Sequence, residues 1–202
     1  DEYAVEEALK LAESSGGEVT VLTVGPDAAG DAIKKALQMG ADKGVLVSDD
    51  GIAGSDALGT SLVLAEAIKK VGSPDLVLTG MASTDGTMGV LPAMLAERLG
   101  LPQVTMSAAI TVADGSVSAR RDGDAASETI VASLPALVSV TDQINEPRYP
   151  SFKGIMAAKK KPVETWSLAD LGIDPAAVGL GGARAMIKDG LMERFNIGQV
   201  YG

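Results

Sequence analysis

The chain has 202 residues, 46% hydrophobic but only 3% aromatic, and it carries a formal net charge of −10 with no His and no Cys. This composition excludes imidazole bases, Ser-His-Asp triads, disulfides and His- or thiolate-ligated metals, and it argues against general nucleic-acid binding, which needs a basic face. No run of about 18 apolar residues marks a membrane span. In chain order, residues 2–14 read as an amphipathic helix, with Ala4, Val5, Ala8, Leu9 and Ala12 near helical spacing and Gly16-Gly17 ending it. Residues 18–24 (EVTVLTV) form a β-branched strand. Gly25-Pro26-Asp27 turns into a helix over 28–39, and residues 44–48 (GVLVS) give the next strand. Ser55 followed by Asp56 caps a helix running to Val71, and Pro74-Asp75 leads to a short strand over 76–79. A further helix is expected over 88–99, and a strand from Gln103.

Such alternation implies right-handed crossovers and a parallel sheet. From Ala108 the texture changes. Short strands over 108–112, 116–121, 127–132 and 137–140, separated by turns such as Ala113-Asp114-Gly115, look like an antiparallel addition. Asn145-Glu146-Pro147-Arg148-Tyr149-Pro150 then breaks regular structure, residues 151–161 end in three lysines, and one helical turn is expected near 168–171. The expected fold class is therefore α/β: a doubly wound, mostly parallel sheet with an antiparallel addition and an extended C-terminal arm. The chain opens in a helix where such domains normally open in a central strand. That strand is expected to be missing, or its place filled by another segment. The first residues show neither a basic n-region nor an apolar h-region, so no signal peptide is expected. The lack of cysteine suits a reducing compartment.

The stretch best suited to hold a ligand is Gly80-Met81-Ala82-Ser83-Thr84-Asp85-Gly86-Thr87-Met88-Gly89-Val90-Leu91. It follows a strand and runs into a helix, and ligands of open α/β sheets sit at the carboxyl ends of strands, against helix N-termini. It matches neither a Walker A nor a G-x-G-x-x-G pattern, so spacing alone favours an ordinary Gly-rich connection. The junction after Val24 is a second, weaker place of the same kind. Asp49-Asp50 reads as a solvated turn, and Lys159–Lys161 as a helix end or a local docking patch in an acidic chain. Phe152, one of two Phe residues, reads as a core residue or as an exposed binding anchor.

Asn145-Glu146-Pro147-Arg148-Tyr149, followed by Ile155-Met156-Ala157-Ala158-Lys159-Lys160-Lys161, resembles a segment of electron-transfer flavoprotein beta (small) subunits. Residues 119–124 (ARRDGD), with Glu128, Ile130, Pro135, Leu137 and Val138, are similar to that family's signature. Residues 1–9 and 36–43 also resemble its segments, and the likeness extends to about residue 183. The resemblance implies a nucleotide-binding domain over 1–140 lacking the family's first strand, a partner-recognition loop over 141–162, and an arm over 163–202 that embraces a larger alpha subunit. It implies AMP in the loop Gly80–Leu91 with Val24 bordering it, and FAD held mainly by the alpha subunit. It places Tyr149, Phe152, Ile155 and Met156 against flavin-containing dehydrogenases such as acyl-CoA dehydrogenases, with Phe152 as an apolar anchor, and Glu128 against the alpha subunit. The implied role is that of a non-enzymatic electron carrier, cytoplasmic or, in a eukaryote, in the mitochondrial matrix. Family members often carry polar side chains where Gly89, Val90 and Leu91 stand, which leaves backbone contacts to hold AMP. Two alternatives remain: a bifurcating relative with a second FAD in that loop, and a free-standing adenine-nucleotide domain resembling universal stress proteins. Residues 184–202 match nothing in the family; Met186–Met192 within them is amphipathic.

Overall fold

Asp1 starts the first helix by accepting a hydrogen bond from the Ala4 amide, 3.0 Å, and α1 (Glu2–Ser15) ends at Gly16 in the left-handed region. The computed structural model describes residues 1–84 and 86–178. The β-branched run becomes β1 (Thr20–Val24), and a short 3-10 turn leads into α2 (Gly30–Met39). Then come β2 (Lys43–Val47), α3 (Ala57–Val71), β3 (Leu76–Thr79) and α4 (Leu91–Leu99). At α3 it is Asp56, and not Ser55, that caps, accepting from the Gly59 amide at 2.8 Å. Helix α4 starts three residues later than the apolar pattern suggests. Thr87 and Gly89 take positive φ (48° and 65°), which helix cannot contain, and Pro92 then sits in the first turn, where its missing N–H does no harm.

The strands form two sheets. One is three-stranded and all parallel, in the order β1-β2-β8, where β8 is Val163–Trp166. The other has five strands. Its order is β3-β7-β4-β5-β6, with β4 at Gln103–Ala113, β5 at Ser116–Asp122, β6 at Ser127–Ser133 and β7 at Ala136–Val140. Residues 137–140, expected in the antiparallel addition, instead lie centrally and parallel to both β3 and β4. All five residues of β7 are buried, as a strand covered on both faces should be. Strand β4 serves both halves. Its start pairs with β7, a bulge between Val104 and Ser107 places Met106 at φ 62°, and its end pairs antiparallel with β5. Strands β1 and β3 each pair on one side only, and their residues are half-buried throughout; no other described segment joins them there.

Helices cover both faces, as the period of two along the strands requires. In β2, Val45 and Val47 point toward α3 (Val63, Ala67), while Leu46 points toward α2 (Ile33, Leu37). In β7, Leu137 meets Leu95 and Ala96 of α4, while Ala136 and Val138 face the layer that holds Ala4 of α1. Helix α1 packs its first turn on the five-stranded sheet and sets Leu9 in the layer where Ile33 of α2 meets Leu46 of β2, so it bridges the two. Residues 163–178 return to the three-stranded sheet, burying Trp166, Leu168, Ile173 and Val178 in the α3 layer. The tail segment 184–202 lies outside the described residues.

Candidate functional site

Two places answer to the expectations. The first is the loop between β3 and α4. Strand β3 ends at Thr79, whose buried Oγ1 has no hydrogen-bond partner among the described residues. Residues 81–84 and 86–90 are all exposed, Leu91 is half-buried, and Asp85 lies outside the described residues. Met81, Met88 and Val90 present apolar surface at the mouth. Among the described residues no side chain caps α4, and its first turn holds no acidic residue, so none of them neutralises the positive end of its dipole. A Cβ at Gly80 would collide with Asp1 Oδ2, in the same carboxylate group that caps α1, so a glycine is needed there for packing. A helix N-terminus with no described side-chain cap, next to exposed apolar side chains, could hold a nucleotide through backbone amides. Val24 ends β1, half-buried, beside the turn in which the Gly25 amide donates to Val47 O.

The second place is the segment after β7. Asn145 Nδ2 donates to Tyr3 O and to Glu7 Oε2, both 3.0 Å. Arg148 Nε and Nη2 donate to the two carboxylate oxygens of Glu6 at 2.8 and 3.0 Å, its Nη1 and Nη2 donate to Glu13, and its backbone amide donates to Glu6 Oε2 at 3.1 Å. Burial alone would raise the Glu6 carboxyl, but the hydrogen bonds and charge of Arg148 more than offset it and hold it below the ordinary value. At Glu13 the hydrogen bond from Arg148 dominates and lowers the carboxyl directly, while the guanidinium is held more firmly protonated. Ser151 Oγ then accepts from the Gly154 amide to start α5 (Phe152–Ala158). Gly154 lies against α2, where a Cβ would collide with Gln38 O. Lys161 Nζ closes the segment by donating to Leu37 O and Gly40 O, the open carbonyls at the end of α2.

Between those two attachments the apolar side chains point outward: Tyr149 is 95% exposed and Phe152 81%, with Ile155 and Met156 also exposed. Phe152 is thus no core residue. Lys153, Lys159 and Lys160 are exposed or half-exposed around it, whereas Lys161 belongs to the helix cap. Glu128 lies elsewhere, on β6 opposite Arg121 of β5, and accepts from that guanidinium at 2.6 and 3.1 Å beside a groove lined by Met106, Gly123 and Asp124. The sequence reasoning missed the attachments at Glu6, Glu7, Asn145, Arg148 and Lys161. An acidic pair inside an otherwise apolar helix stripe was the available signal, but its partners lie about 140 residues away. Among the described residues, no group of acidic side chains could hold a metal, and no helix is long and apolar enough to cross a membrane.

Known proteins share this sequence over most of its length. The family described as "Electron transfer flavoprotein domain" matches residues 1–171. The chain is 50% identical to the electron transfer flavoprotein subunit beta of Mycobacterium leprae over 192 residues, covering 93% of this chain and 72% of that protein. It is 40% identical to Protein FixA of Rhizobium meliloti, covering 93% and 67%, and 37% identical to the caffeyl-CoA reductase-Etf complex subunit CarD of Acetobacterium woodii, covering 93% and 72%.

Proposed function

This chain belongs to the electron transfer flavoprotein family, and from that premise we propose that it is the small subunit of a two-chain carrier, docking flavin dehydrogenases through its exposed aromatic segment. The observation that carries the reading is Phe152, four-fifths exposed on a segment attached at both ends. A large apolar side chain held out in water costs free energy unless a partner covers it, and such residues anchor interfaces. Flavin, bound mainly by the alpha subunit, supplies the redox chemistry when present. This chain's own residues bind, orient and exclude water, and none serves as acid, base or nucleophile. In the loop 80–91, the first-turn amides of α4 would hold the phosphate of AMP, while Met81, Met88 and Val90 cover its flat base.

Phe152→Ala, prepared as the complete flavin-loaded two-chain protein, tests the docking role. Its KM as electron acceptor for an acyl-CoA dehydrogenase should rise about tenfold or more, since a central anchor contributes at least about 2 kcal/mol, with flavin content unchanged. An unaltered KM, or loss of flavin, would count against the reading. Mass analysis of the nucleotide released on denaturation identifies the ligand of the loop: AMP is expected, and a second equivalent of FAD would assign the loop to a bifurcating carrier.

A further inference from the structure

We propose that Arg148 is a positioning residue for docking: its fork, locked between Glu6 and Glu13 of α1, fixes the place from which Tyr149 and Phe152 project. The inference rests on the docking reading above and goes beyond it. Apolar side chains hold this stretch down only lightly. From residue 149 to residue 160 no side chain is fully buried, and the hydrophobic layers take up only Ala158, in part. In the middle the backbone at Gly154 rests on α2, and polar attachments act at the two ends: Asn145 and Arg148 on α1, Lys161 on the end of α2.

The α1 end is costly to build. Glu6 and Glu7, 5% and 6% exposed, are the only buried charged residues among those described. Desolvated carboxylates paired with a cation rarely beat well-packed apolar side chains for stability, so their use here points to geometry as what they provide. Arg148 suits that use better than a lysine would. Its planar guanidinium makes four directed hydrogen bonds to two carboxylates, and its amide makes a fifth to Glu6, so both the side chain and the backbone beside Tyr149 are set. A segment ordered before the encounter does not have to be ordered during it, and the affinity is higher by that amount.

The test uses the complete two-chain, flavin-loaded protein and follows KM for the reduced dehydrogenase, turnover at saturating dehydrogenase and thermal midpoint. Arg148→Lys keeps the charge and removes the fork. KM should rise about five- to tenfold with saturated turnover as in the wild type. Glu13→Gln, at an exposed carboxylate whose loss cannot unfold the chain, should raise KM about twofold. The decisive variant is Arg148→Lys combined with Phe152→Ala. If Arg148 acts by placing Phe152 along with Tyr149, the double variant raises KM by clearly less than the product of the two single effects; a purely structural role gives effects that multiply. Multiplying effects, or an unchanged KM in both Arg148→Lys and Glu13→Gln, overturn the inference. Should Phe152→Ala itself leave KM unchanged, the docking reading has failed; should it raise KM while the α1 variants do not, only the positioning role has.

Discussion

Glu6 and Glu13 meet the same guanidinium from different surroundings, and the difference has a pH signature. Both carboxyls lie below their ordinary value in the folded protein, Glu13 because of its hydrogen bond with Arg148 and Glu6 because that cation overcomes burial. A carboxyl lowered on folding adds stability above its unfolded value, near 4.3, and the contribution is lost as pH falls through the lower folded value. Arg148→Met should therefore show a reduced thermal midpoint at pH 7, with the gap to wild type closing as pH falls below about 4. A gap that stays constant from neutral to strongly acid pH would mean that the ion pairs contribute nothing. At this scale the sequence was uneven. Phe152 stood out in the sequence as one of two Phe residues, but only the family resemblance chose anchor over core for it and brought in Tyr149, because composition cannot say whether a lone aromatic is covered. Lys161 was hidden inside a run of identical residues, two of which face solvent while the third caps α2.

Elements were legible wherever a local rule decides them. The strand 76–79 and the helix ends at Met39, Val71 and Leu99 were read correctly because apolar period and capping glycines are local signals. The later start of α4 follows from positive-φ residues that no apolar pattern reveals, and the central place of β7 from pairing across about 60 residues with β3. Strand β8 was missed because three of its four residues are exposed and it pairs only with the distant β2. How α2 rests on β2 is decided by one absent side chain. A Cβ at Gly44 would collide with Cγ2 of Ile33, a residue with no exposure. Gly44→Ala should cost about 1–3 kcal/mol by overpacking, read as a lower denaturant midpoint with unchanged slope. An unshifted midpoint would show that α2 can lift from the sheet freely.

For the molecule as a whole, charge is distributed against its total. The chain carries −10, yet residues 148–161 contain Arg148, Lys153 and Lys159–Lys161 and no acidic residue. Arg148 and Lys161 are engaged internally, which leaves Lys153, Lys159 and Lys160 around the apolar anchor. A partner with an apolar pocket and an acidic rim suits this face, and long-range attraction of that kind acts on encounter. Raising ionic strength from about 0.05 to 0.3 M should slow association with the dehydrogenase by about three- to tenfold while the dissociation rate changes little. Association insensitive to salt would remove the lysines from the encounter. The route of the chain adds a mechanical aspect. The backbone leaves the five-stranded sheet at β7, passes through the aromatic segment and re-enters the three-stranded sheet at β8. The projecting stretch is therefore also a strap between the two halves of the fold, and a partner docked there as proposed would take hold of both at once.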